Sequence, residues 1–194
     1  SYLISKDIHA DFILKYLNVS ENRKILDIAA APGGKSIIID SLISDNSILW
    51  ANDVNSNRAK VLEYNLVKWG RANYIVSNSK IDDFNDLKNQ FDLVLLDAPC
   101  TGSGFFRKYQ EWQDNFSLDY INQCVKRQKD ILKKVFDIIP MDGYLIYSTC
   151  SFTSEENEDI AKWIIDNGFE EIKLQIPAEW GIVVSEYGYR FFPH

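Results

Sequence analysis

The chain has 194 residues, 46% of them hydrophobic and 25% charged, which suits one soluble globular domain with a sizeable core. Three cysteines without a C-x-x-C pair, and two histidines at opposite ends, argue against a disulfide scaffold and a zinc site and fit a reducing cytosol. No apolar run approaches the roughly 18 residues of a membrane span. A net charge of −7 runs against the basic surface expected of a nucleic-acid binder.

The pattern predicts a first helix near residues 7–17, then short β-rich apolar runs alternating with longer helical stretches. The runs are KILDIAA (24–30), SILWAND (47–53), NYIVSN (73–78), FDLVLLDA (91–98), GYLIYSTC (143–150) and a weaker FEEIKLQI (169–176). Helices are expected at about 34–44, 55–70, 117–139 and 154–167, and the last twenty or so residues from Pro177 have no clear period. Strands that are apolar on both faces and alternate with helices imply an open, mostly parallel α/β sheet with helices on both faces. Ligands of such sheets bind outside the carboxyl ends of the strands.

Two strand ends carry small or acidic residues suited to a nucleoside. The first strand runs into Ala29, Ala30, Ala31, Pro32, Gly33, Gly34 and Lys35, where small residues let backbone pass close to a ligand before a helix begins. The spacing matches neither the dinucleotide fingerprint nor the phosphate loop. Asp53, at the end of the second strand, is placed to accept ribose hydroxyls; its plain alternative is an acid at a helix N-terminus. Together these features favour a nucleoside cofactor lacking a pyrophosphate, for which S-adenosyl-L-methionine is the natural candidate.

The cysteines divide into two kinds. Cys124 sits in a helical stripe with Leu118, Ile121, Val125, Leu132, Val135 and Phe136, as a small hydrophobe would. Cys100, in DAPCTG, and Cys150, in YSTCS, each end a strand at the ligand edge. A disulfide between them is disfavoured in a reducing compartment. Thiolates are good nucleophiles toward electron-poor carbon. Cytosine C5 attacks a methyl sulfonium only after a nucleophile has added at C6, so two cysteines and an acid beside a cofactor turn match that chemistry.

These segments resemble the RNA cytosine-5 methyltransferases, over about residues 5–194. LDIAAAPGGKS is similar to the family's cofactor loop, DVNSNR to its ribose segment, and DLVLLDAPCTGSG and YLIYSTCSFTSEENE to its two cysteine motifs. The resemblance implies a Rossmann-like class I S-adenosylmethionine-dependent methyltransferase fold and formation of 5-methylcytosine in RNA, ribosomal or transfer. It implies Cys150 as the nucleophile at C6 and Cys100 as the residue that promotes product release. Asp97 would hold the cytosine edge near the methionine end of the cofactor, with Lys35 on the same base. Ala29 to Lys35 would wrap the cofactor, and Asp53 with Arg58 would hold its ribose. No metal is implied, no membrane contact, and a cytoplasmic monomer is expected.

Departures temper the match. Ala29 replaces a usual cysteine, and Ser79-Lys80 stands where an adenine-facing acid is normal, with Asp82 as a substitute. YQEW follows GSGFFRK where a proline step is usual, leaving Arg107 and Lys108 as either phosphate contacts or solvated charge. Residues 1–194 read as one catalytic domain with no separate RNA-binding domain, ending at RFFPH where a final strand would start. Thr153 and Glu156 have the spacing of a capping box opening a helix, with Asn157 helping to position the cysteine loop. Rival readings are a DNA cytosine-5 methyltransferase, which attacks with the cysteine of its P-C motif, and a non-catalytic module that keeps the cofactor fold to bind RNA or protein.

Overall fold

The computed structural model describes residues 23–106, 113, 114, 116–174, 177 and 181–190. Five of the apolar runs are strands: β1 (Lys24–Asp27), β2 (Ile48–Asn52), β3 (Tyr74–Ser77), β4 (Leu93–Asp97) and β5 (Tyr144–Ser148). They form one sheet in the order β3-β2-β1-β4-β5. Parallel pairing sets Leu26 of β1 between Trp50 of β2 and Val94 of β4. Ile25, Leu26 and Leu93 to Leu96 are buried, which is why those strands read as unbroken apolar runs and not as alternation. The direction of strand order reverses between β1 and β4, the place where open α/β sheets bind ligands.

Among the described residues, four α-helices connect or follow the strands: α1 (Gly34–Leu42), α2 (Ser56–Trp69), α3 (Leu118–Ile138) and α4 (Glu158–Asp166). The start of α2 is fixed by Asn55, whose side-chain oxygen accepts from the N–H groups of Asn57 and Arg58. Gly70, at φ +88°, closes it in the left-handed conformation that glycine adopts most readily. Along α3 the buried residues recur at three- and four-residue steps through Ile121, Cys124, Gln128, Leu132, Val135 and Ile138. Cys124 is thus a core residue, as its stripe implies. Leu118 lies outside the buried stripe: it opens the helix and is 71% exposed.

Two compact units make up the described chain. One holds the residues up to Asp97 together with Lys133–Ile146; the other holds Ala98–Leu132 and the residues from Tyr147 onward. The first contains the sheet from β3 to β4, with Trp50, Phe84 and Phe91 meeting edge-on in its core. In the second, β6 (Val183–Ser185) and β7 (Gly188–Arg190) form an antiparallel hairpin that the sequence pattern does not announce. The run at 169–176 is not a strand where it is described, over 169–174. Its backbone finds another partner, because the Tyr189 hydroxyl bonds both the N–H and the carbonyl of Leu174. The expected helix at 7–17 and the segment beyond Arg190 lie outside the described residues. Among the described residues no helix is long and apolar enough to cross a membrane.

Candidate active site

The turn after β1 is held almost wholly through its backbone. Ala30 N donates to Asn52 O, and Gly33 N to Ala30 O, both at 2.8 Å. Side chains of α2 grip the outside: Arg58 donates to Ala31 O at 2.6 Å and Asn65 to Pro32 O at 2.7 Å. Gly33 stands at φ +108°, with the place of a Cβ only 3.1 Å from Leu62 Cδ1, so this residue must be glycine to make the turn. Asn52 ties the neighbouring strand ends, donating to Ile28 O and Ser79 O and accepting from Ser77 and Ser79.

Asp53 is enclosed by this turn. Its carboxylate accepts from Ala31 N at 3.3 Å and Asn55 N at 2.9 Å, and pairs with Arg58 at 3.2 Å. Asp53 and Arg58 therefore come together, and in this arrangement they brace the small-residue turn. Asp82 points to different company, pairing with Lys134 at 3.1 Å. Lys35, one residue into α1, and Asp97, at the end of β4, meet at 2.6 Å, both partly open to solvent. Residues 62 apart in sequence thus converge at the strand-order reversal.

Asp27, the last residue of β1, is the acid that the sequence reading overlooked. It is fully buried, accepts from Ser36 Oγ at 2.6 Å through one oxygen, and its other oxygen has no hydrogen-bond partner among the described residues. Burial, opposed by the Ser36 bond and reinforced by the charge of Asp97, lifts its carboxyl from 3.8 to about 7. An acid closing an apolar strand was the visible signal.

In the other unit the two strand extensions run side by side, with Ala98 N donating to Ser148 O at 2.7 Å. Cys100 Sγ and Cys150 Sγ approach to 3.1 Å as free thiols. Cys150 is exposed and Cys100 half-buried, so the first is open to a ligand and the second backs it. The hydrogen bond to Cys150, then burial, push the Cys100 thiol far above its usual range, so Cys100 keeps its proton. Gly104 N donates to Cys150 O at 2.9 Å, and a Cβ on Gly104 would stand 2.7 Å from that same oxygen.

Glu156 corrects the capping-box reading. In a capping box its carboxylate would accept the N–H of Thr153; that N–H instead donates to Ser151 Oγ, and α4 starts two residues later, after Asn157. Glu156 is fully buried and accepts from Thr101, Gln128 and the Thr153 hydroxyl. Asn157 does hold the cysteine loop: it accepts from Thr149 Oγ1 at 2.8 Å and donates to Ser151 O at 3.0 Å. Arg107 and Lys108 lie outside the described residues.

A five-stranded sheet of this order, with a small-residue turn after β1, is the Rossmann-like fold of S-adenosylmethionine-dependent methyltransferases. The chain belongs to the family described as 16S rRNA methyltransferase RsmB/F, whose family model matches residues 14–194. It is 36% identical over 176 residues to the 28S rRNA (cytosine-C(5))-methyltransferase of Mus musculus, covering 89% of this chain and 22% of that protein. Ribosomal RNA small subunit methyltransferase F of Vibrio vulnificus (strain YJ016) is 36% identical over 146 residues, 75% of this chain and 31% of its own length. Among solved structures, NSun6 from Pyrococcus horikoshii with SFG superposes with a TM-score of 0.76 at 29% identity, over 88% of this chain and 44% of that one. The chain thus spans less than a third of the length of these two curated relatives.

Proposed function

We propose that this chain carries the methyl-transfer machinery of an S-adenosyl-L-methionine-dependent RNA (cytosine-5-)-methyltransferase that forms 5-methylcytosine in ribosomal RNA. The observation that carries the reading is the 3.1 Å approach of two thiols that stand 50 residues apart at the ends of neighbouring strands. The names of the mouse and Vibrio relatives support ribosomal RNA as substrate, with transfer RNA the second choice. The free thiols suit a reducing compartment, the cytoplasm.

The turn after β1 fits the cofactor. Nothing lies within 4 Å of where a Cβ of Gly34 would stand, and the N-terminus of α1 has no side-chain cap. Open N–H groups there suit the carboxylate of the cofactor, and the unpartnered oxygen of Asp27 suits its ammonium. Ala29 to Lys35 form the wall of that site. For the ribose role, Asp53 offers the acceptor site that Ala31 N, Asn55 N and Arg58 leave open, and the exposed Arg58 offers N–H groups beyond the one on Ala31 O. When bound, S-adenosyl-L-methionine supplies an electrophilic methyl on a sulfonium.

The chain's own residues do the rest. Asp97 holds the cytosine edge, and Lys35, at 2.6 Å, fixes that carboxylate and contacts the same base. Cys150, as thiolate, bonds to C6, and the electron pair of the C5–C6 double bond moves to C5. Once C5 carries the methyl, loss of its proton to a base re-forms the double bond as the C6–S bond breaks. Cys100, which keeps its own proton, hydrogen-bonds the departing sulfur of Cys150 and eases that last step.

RNA containing 5-fluorocytosine tests the assignment, because the fluorine cannot leave and the adduct is trapped. Cys150→Ala should abolish the adduct, while Cys100→Ala should retain it and let it build up on unmodified RNA. Attack by Cys100 instead would turn the reading to the DNA-type enzyme. Cofactor binding with no transfer to RNA by the full-length protein would turn it to a binding module.

A further inference from the structure

We propose that the consecutive residues Glu156 and Asn157 are paired positioning residues, each registering one of the two thiols. Glu156 sets Cys100 for product release, and Asn157 sets Cys150 for attack. This rests on the reading given under Proposed function. What it adds is a division of labour that neither the cysteine motifs nor the relatives' names assign.

The Cys100 side is bracketed by one carboxylate. Glu156 Oε1 accepts from Thr101 N at 2.9 Å and Gln128 Nε2 at 3.0 Å. Its Oε2 accepts from Thr101 Oγ1 at 2.6 Å and Thr153 Oγ1 at 3.0 Å. The same Gln128 amide donates to Pro99 O at 3.1 Å. Both neighbours of Cys100, Pro99 and Thr101, are therefore held by the Glu156 cluster. A carboxylate has acceptor sites only, and these four donors fill them. The Tyr147 hydroxyl, donating to Glu156 O at 2.8 Å, fixes the backbone from which the carboxylate reaches.

Around Cys150 the same logic uses an amide. Asn157 Oδ1 accepts from Thr149 Oγ1, Thr149 Oγ1 accepts from Ser151 N at 3.1 Å, and Asn157 Nδ2 donates to Ser151 O and, at 2.7 Å, to Thr153 O. Both neighbours of Cys150 are thus held by Asn157, which needs a donor and an acceptor where Glu156 needs acceptors alone. Glu156 and Asn157 are both buried, so neither is offered to solvent or to a base directly. Their influence on the reaction passes through the two cysteines.

The test uses the full-length protein with in vitro transcribed small-subunit rRNA as the probe. Glu156→Gln keeps the shape but turns a donor toward two of the four donors. It should form the adduct on 5-fluorocytosine RNA at a rate within about threefold of the parent. On unmodified RNA it should accumulate adduct, with kcat down on the order of 10- to 100-fold and KM little changed. Asn157→Ala should do the reverse, slowing adduct formation on 5-fluorocytosine RNA by a similar factor with no build-up on unmodified RNA. Equal slowing of the same step by both variants would mean general loosening and overturn the proposal. If Glu156→Gln does not fold, Gln128→Met, which removes the donor to Glu156 Oε1 and Pro99 O, is read in the same assays by the same criterion. Cys100→Ala runs alongside: absence of adduct there sinks the proposed function itself and this inference with it, whereas adduct there but not in Glu156→Gln sinks this inference alone.

Discussion

The turn after β1 and the loops after β4 and β5 both hold irregular backbone at strand ends, and they do so by opposite means. The turn is made of small residues bonded through peptide groups, with Arg58 and Asn65 gripping carbonyls from outside. The cysteine loops are knitted by hydroxyls and amides: Thr101, Ser103, Ser151 and Thr153 converge about buried Glu156. Side chain to side chain bonds are usually a small share of a protein's total, so such a concentration marks a region where donor and acceptor identity matters more than volume. The turn should tolerate changes of side-chain chemistry but not an added Cβ where backbone is close; the loops should tolerate neither.

Between the turn and the loops, the larger effect expected from a single added carbon is therefore at Gly104, in the loops. A Cβ there would stand 2.7 Å from the carbonyl oxygen of Cys150, which Gly104 N itself binds at 2.9 Å. Gly104→Ala must push the two loops apart. We expect destabilisation of about 2–3 kcal/mol and a loss of methyl transfer on the order of 100-fold, measured by denaturant melts and tritium transfer to rRNA. Parent-like activity would show that the loops yield more easily than their hydrogen bonds suggest.

Next in size is a pH effect inside the turn. Burial raises the carboxyl of Asp27 from 3.8 to about 7. The folded state thus favours its protonated form, and the stability this contributes is complete below about pH 4 and is lost as pH rises through 7. The loss is on the order of a few kcal/mol. Asp27→Asn is neutral at every pH and keeps a bond to Ser36. Its melting temperature should match the parent below about pH 4 and exceed it by a margin that grows up to pH 8; a constant margin across that range would remove Asp27 as the cause.

What was legible in the sequence divides along the same line. Strand runs such as FDLVLLDA and the stripe through Ile121, Cys124 and Leu132 record burial directly, and the sheet and α3 follow from them. The turn after β1 was legible because small residues are its mechanism. The carboxylate of Glu156 was not. Its partners Gln128 and Thr101 lie 28 and 55 residues away, so its spacing to Thr153 suggested a local cap that long-range donors had already displaced. The β6–β7 hairpin escaped for a related reason: Val183 and Val184 are both exposed, so no alternation marks the strand.

Within the turn, Gly33 and Gly34 make the same comparison at smaller scale. Gly33→Ala meets both a φ of +108° and Leu62 Cδ1 at 3.1 Å, and should cost about 1–2 kcal/mol in chemical melts. Gly34→Ala meets nothing within 4 Å at the first residue of α1. With less freedom lost from the unfolded chain, it should stabilise the free protein by about 0.4–1 kcal/mol. The same methyl would project into the wall assigned to S-adenosyl-L-methionine, so calorimetric affinity for the cofactor should fall by roughly tenfold while the melting point rises. Opposite signs in the two measurements are what a wall open in the free protein and filled by a ligand requires. A rise in stability with no change in affinity would move the cofactor away from Gly34.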